Sequence, residues 1–91
     1  MKWKIIKLET IKDDVRWGCF YCENEEGKRE WLDLFTNSSY KGFKNITRAS
    51  KDWEKKYKSL IGKTVEVDSI FPYQPLYFAK NIKLLTNTNN K

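Results

Sequence analysis

The chain contains no histidine, so the side chain most often used for proton transfer near neutral pH, and most often bound to metals, is missing. Its two cysteines lie in Cys19-Phe20-Tyr21-Cys22, the CxxC spacing of zinc and redox sites. On a strand, however, residues three apart point to opposite faces. Two thiolates without further partners do not complete a tetrahedral zinc site, and Cys19 reads better as a small core residue. The paired carboxylates Asp13/Asp14 and Glu25/Glu26 fall in predicted turns, where solvent and local backbone donors account for them. The sequence holds no glycine-rich phosphate loop and no nucleophile motif. The expectation is a chain that is not an enzyme and carries no cofactor and no metal.

What remains is aromatic and cationic. Arg16, Phe20, Arg29, Trp31 and Phe35 form one candidate group. The segment 36–49 forms a second, interleaving Tyr40 and Phe43 with Lys41, Lys44 and Arg48 and containing no acidic residue. Tyr73, in Phe71-Pro72-Tyr73-Gln74-Pro75, which reads as a rigid connection between strands because each proline fixes φ and removes a donor, is the third. Sites for single-stranded nucleic acid need these two residue types together, because bases stack on aromatic faces while cations track the phosphates. Each group also has a plainer reading. An exposed Trp-Phe patch requires a cover, and the 36–49 segment could supply it, making Trp31 and Phe35 a second core. A protein partner could cover it equally well, since aromatic residues and arginine dominate such interfaces too.

Charge sharpens the choice. The formal net charge is +6 and the isoelectric point about 9.3. Residues 1–35 hold seven Lys/Arg against eight Asp/Glu, and residues 36–91 hold eleven against four. A basic domain with segregated charge has the footprint expected for a polyanion partner. An AT-rich genome would also enrich lysine, though without segregating it. Glu23, Glu25, Glu26, Glu30 and Asp33, around the aromatic group, fit a protein partner better than a phosphate backbone. No stretch reaches the roughly 20 apolar residues that span a membrane, and the charged N-terminus is unlike a secretory signal. A cytoplasmic location without membrane association is expected.

These groups need elements to hold them. At 91 residues the chain suits a single domain, expected over residues 1–86 with a frayed polar tail at 87–91. Residues 3–11 are β-rich but alternate poorly, since Ile5 and Ile6 are adjacent and Leu8 follows Lys7; Asp13-Asp14 then predicts a tight turn. Two strands, Val15–Cys22 and Lys28–Phe35, flank a four-residue loop, Asn24–Gly27, that pairs Glu23 with Lys28. This register puts Val15, Trp17, Cys19, Leu32 and Leu34 on an apolar face. Opposite them it pairs Phe20 with Trp31, Cys22 with Arg29, Gly18 with Asp33 and Arg16 with Phe35. Ser50 is the expected N-cap of a helix that presents Trp53, Tyr57, Leu60 and Ile61 on one face and ends at Gly62. Thr64–Asp68 reads as a strand, and Leu76–Leu85 as a last strand with an irregularity near Lys80-Asn81.

The order β-β-β-α-β-β, with the helix running into Gly62-Lys63-Thr64-Val65-Glu66-Val67, resembles the oligonucleotide/oligosaccharide-binding (OB) fold over essentially the whole chain. The resemblance implies a mainly β protein with one helix, built as a five-stranded Greek-key barrel. It further implies that a ligand crosses the second and third strands, flanked by the loops after the first and fourth. On that basis the expected partner is single-stranded DNA or RNA, held with little sequence preference by a monomer or homodimer of the kind a phage or mobile element encodes. The alternative is a protein–protein interaction module, an accessory subunit or inhibitor, using the same aromatic patch.

Overall fold

The computed structural model describes residues 1–34 and 52–85. Within them lie β1 (Lys2–Leu8), β2 (Phe20–Asn24), β3 (Arg29–Asp33), α1 (Trp53–Lys58), β4 (Thr64–Glu66), β5 (Ser69–Tyr73), β6 (Leu76–Lys80) and β7 (Lys83–Leu85). The protein is mainly β, with a single short helix among the described residues. Its seven strands form one sheet in the order β5-β6-β3-β2-β1-β4-β7, in place of the five strands expected. Neighbours are antiparallel except β3 and β6, which run parallel.

The two additional strands arise from two breaks that face each other. Val67-Asp68 separates β4 from β5, and Asn81-Ile82 separates β6 from β7. Asn81 has φ +57°, a left-handed conformation that asparagine tolerates better than most residues, and this is the irregularity anticipated at Lys80-Asn81. Its side-chain amide donates to Asp68 Oδ2 at 2.7 Å, while the Asp68 N–H donates to the Lys80 carbonyl at 3.0 Å. Tyr73 and its neighbours, read as a connection, form β5 instead. Pro72 fits there because β5 is an edge strand, where a missing N–H is tolerated.

The β2–β3 register differs by one residue from expectation. The observed pairs are Phe20 with Leu32, Tyr21 with Trp31, Cys22 with Glu30 and Glu23 with Arg29. Asn24 causes the shift. Its Oδ1 accepts from the Glu26 and Lys28 N–H groups, both at 2.9 Å, and its own N–H donates to the Lys28 carbonyl at 2.9 Å. Asn24 is therefore the last strand residue, and the loop is the three residues Glu25–Gly27, closed by Gly27 at φ +86°. A one-residue slip turns a strand over. β3 keeps its expected facing, while β2 is inverted and sends Phe20 and Cys22 into the core. Gly27→Ala is expected to cost about 1–2 kcal/mol through backbone strain alone, because a Cβ there meets nothing within 4 Å; a urea melt of the variant measures this.

Residues 9–19 also depart from expectation. The predicted strand from Val15 is a series of turns, and Val15 is exposed. The Asp14 carboxylate accepts from the Arg16 N–H at 2.7 Å, a local bond of the kind that competes with strand pairing. The loop closes where Glu9 N–H donates to the Cys19 carbonyl at 3.0 Å and Gly18 N–H to the Glu9 carbonyl at 2.8 Å. Trp17 anchors it, packing edge-on against Trp53 at 5.1 Å.

The core joins Trp3, Ile5, Phe20, Cys22, Leu32 and Leu34 to Trp53, Tyr57 and Leu60 of the helical segment and to Val65, Val67, Ala79 and Ile82. The expected helical stripe is present except for Ile61. Regular helix ends at Lys58, and the turn that follows leaves Ile61 exposed. Gly62 (φ +91°) closes that turn, its N–H donating to the Ile5 carbonyl at 2.8 Å. Expected features at Ser50 and at 87–91 lie outside the described residues.

Candidate functional site

The outer face of the sheet gathers rings and cations. Lys7, Tyr21 and Trp31 are register partners across β1, β2 and β3. Lys7 reaches this face because the β1–β2 register shifts between Ile5 and Lys7, and such an irregularity re-aims the side chains that follow it. The Tyr21 and Trp31 rings lie 5.0 Å apart at 42°. Lys7 Nζ stands 5.4 Å from the first centroid and 5.6 Å from the second. Arg16, from the 9–19 loop, lays its guanidinium 4.9 Å from the Trp31 centroid.

Arg16 is fixed in that position. Its Nε donates to Asp14 Oδ1 at 2.8 Å and its Nη2 to Asp14 Oδ2 at 2.6 Å, a two-point fork. The Arg16 side chain, and then its backbone N–H, pull the Asp14 carboxyl down to about 2. A carboxyl lowered on folding contributes stability above its ordinary pKa and loses that contribution as pH falls through the folded value. The Arg16 Nε–H resonance is therefore expected to keep its position from neutral pH through the ordinary carboxylate range and to move only as the pH approaches about 2.

The same face continues across the parallel pairing. Asp33, two residues beyond Trp31 on β3, pairs with Phe78 of β6, which pairs with Phe71 of β5. Tyr73 stacks on Phe78 at 4.7 Å and 24°, and Lys80 Nζ lies 5.9 Å from the Phe71 centroid. Phe71 and Tyr73 are exposed, at 46% and 62%. Asp33 itself is buried.

Of the residues singled out from sequence, Arg16, Trp31 and Tyr73 are at this face. Arg16 arrives from a loop rather than from a strand. Phe20 does not belong to the face: it is fully buried, with its ring 5.9 Å from that of Tyr57, because of the register shift. Arg29 is exposed but committed to Glu23 at 2.9 Å. Phe35, Tyr40, Lys41, Phe43, Lys44 and Arg48 lie outside the described residues. Sequence reasoning missed Lys7, Tyr21, Phe71, Phe78 and Lys80. The broken alternation at Ile5-Ile6 was the signal for Lys7, and Tyr21 follows once Asn24 is counted as a strand residue.

The chain matches no known protein family, no characterised protein and no solved structure. Its chemistry is therefore read from its own geometry. Cys19 and Cys22 are both buried, and burial, then Cys19, pushes the Cys22 thiol well above the ordinary cysteine range. Cys19 precedes β2, so the strand alternation expected between the two does not apply. Among the described residues, no three Cys, Asp or Glu side chains gather as a metal site would require, and no helix is long and apolar enough to cross a membrane. Half-buried rings with cations at their faces are suited to holding a flat unsaturated ring beside an anion.

Proposed function

We propose that the chain is a non-enzymatic module that binds single-stranded DNA or RNA, with little sequence preference, on the outer face of an OB-like barrel. The observation that carries this reading is the Tyr21–Trp31 pair rimmed by Lys7 and Arg16. Bases would stack on these rings and on Tyr73 and Phe78.

The strand pairings support the barrel. β4 and β5 are separated by two residues, as are β6 and β7, and the two breaks are bonded to each other. Taken as two bent strands, they pair along their length, one joining β1 and the other running parallel to β3. On this reading the bent strands would let the sheet return on itself as a five-stranded barrel. The loop after β1, expected to be short, runs from Glu9 to Cys19 and supplies Arg16, as a flanking loop in this architecture would.

The charge lies where a strand could use it. Residues 35–51 contain Lys41, Lys44, Arg48 and Lys51 and no acid, whereas residues 1–34 and 52–85 together are nearly balanced. Labelled oligothymidine titrated at several salt concentrations tests the reading by fluorescence anisotropy. With three or four phosphates neutralised, log affinity is expected to fall against log salt with a slope of roughly −2 to −3. No binding at low salt by folded, monodisperse protein would overturn it.

One observation favours the protein-partner alternative. Arg29 pairs with Glu23 at 2.9 Å and Lys28 with Glu30 at 3.5 Å, so the cations at the β2–β3 hairpin end already have counter-charges. A phosphate backbone gains little there, while a protein partner would meet a balanced rim beside aromatic anchors.

A further inference from the structure

Two cations address one ring from two different elements. Arg16 comes from the 9–19 loop and Lys7 from β1, at 4.9 Å and 5.6 Å from the Trp31 centroid. Asp14 takes Nε and Nη2, which is the side edge of the Arg16 guanidinium. A guanidinium has five N–H donors, so the end formed by Nη1 and Nη2 keeps donors that no described residue accepts. Lys7 makes no ion pair among the described residues. Arg16 is thus held along one edge by a carboxylate and across its plane by an indole, with its other edge presented outward. Holding a guanidinium on two sides removes the rotamer freedom it would otherwise lose on binding.

Accepting the nucleic-acid reading above, we propose that Arg16 and Lys7 bind the two phosphates flanking a single base stacked at Trp31 and Tyr21, with Asp14 as the residue that positions Arg16. The ligand class is a nucleotide within a single strand, its base unpaired and its phosphodiesters on both sides. The carboxylates whose charge acts on Arg16 are Asp14 and Glu9, so its cation already has counter-charges. Recognition therefore rests on aimed donors rather than on bulk attraction. Arginine and lysine are consequently not interchangeable here: a lysine at 16 keeps the charge but loses the fork.

The test uses the full chain and labelled oligothymidine of about 20 nucleotides, longer than the ~4–16 nucleotides that such a fold covers. Lys7→Gln is expected to weaken binding and to flatten the salt slope by about 0.7, the share of one phosphate. Arg16→Lys is expected to weaken binding about tenfold or more while leaving the slope nearly unchanged. Asp14→Asn should weaken binding in the wild-type background and add nothing in the Arg16→Lys background. A merely structural role for Asp14 would give additive losses and a lower melting temperature in both. If the wild type binds oligothymidine and Trp31→Ala weakens it, but Lys7→Gln and Arg16→Lys match the wild type, the pair is overturned and the wider reading stands. Tighter binding by Asp14→Asn would overturn the positioning role, making that carboxylate a competitor for the fork. If the wild type binds no oligothymidine, the functional reading fails on its own account.

Discussion

Phe20→Ala is expected to lower the free energy of unfolding by about 3–5 kcal/mol, the usual cost of emptying an aromatic site in a packed core. The ring is fully buried and joins Tyr57 of α1 to the inner face of β2 and β3. A domain of this size has a total stability of only about 5–14 kcal/mol, so the variant should be partly unfolded or close to it. A urea titration measures the loss as a lower midpoint at unchanged slope. The result also reports on register. An outward-facing Phe20, paired with Trp31, would tolerate alanine within about 0.5 kcal/mol and would instead lose ligand binding. A small stability change would therefore contradict the pairing set by Asn24.

Trp31→Ala is expected to act on binding, weakening oligothymidine by about 1–3 kcal/mol, or roughly 5- to 150-fold. The indole is half-buried, and among the described residues its ring contacts are with Tyr21, Lys7 and Arg16, all on the outer face. Its removal empties no part of the inner core, so the melting temperature should fall by less than for Phe20→Ala. Anisotropy and thermal melts on the same samples separate the two effects. Unchanged affinity in a folded variant would remove Trp31 as a stacking residue. A stability loss as large as that of Phe20→Ala would make it a core residue that only borders solvent.

Much of this architecture could be read from residue order, and the misreadings share a cause. The stripe Trp53, Tyr57 and Leu60, the glycine-closed turn at Gly27 and the irregularity at Lys80-Asn81 each depend on a local signal that tertiary packing did not override. The site depended on parity, which a single side chain decided. Asn24 was counted as a loop residue because asparagine is common in turns, yet its Oδ1 caps the turn from a strand position. One residue of error there exchanged Phe20 for Tyr21. Val15, Trp17 and Cys19 alternate as a strand would, but Asp14 binds the Arg16 N–H and folds the segment into turns. The adjacent Ile5 and Ile6 marked a register shift, and following it would have brought Lys7 to the outer face. The basic, aromatic segment 36–49 carried clear composition and no periodicity, so its residues could be named but not placed.

Pro72 has a consequence for how copies of this chain behave at high concentration. β5 ends the strand order and displays Phe71 and Tyr73, the kind of open, apolar border along which β-proteins add strand to strand and aggregate. Proline between those two rings takes one donor from that border and sets a rigid ring in the path of an incoming backbone. The two aromatic side chains can thus stay in water while the backbone that carries them resists recruiting another molecule. The residue that made this segment look like a mere connection is the one that makes it a poor template for a further strand.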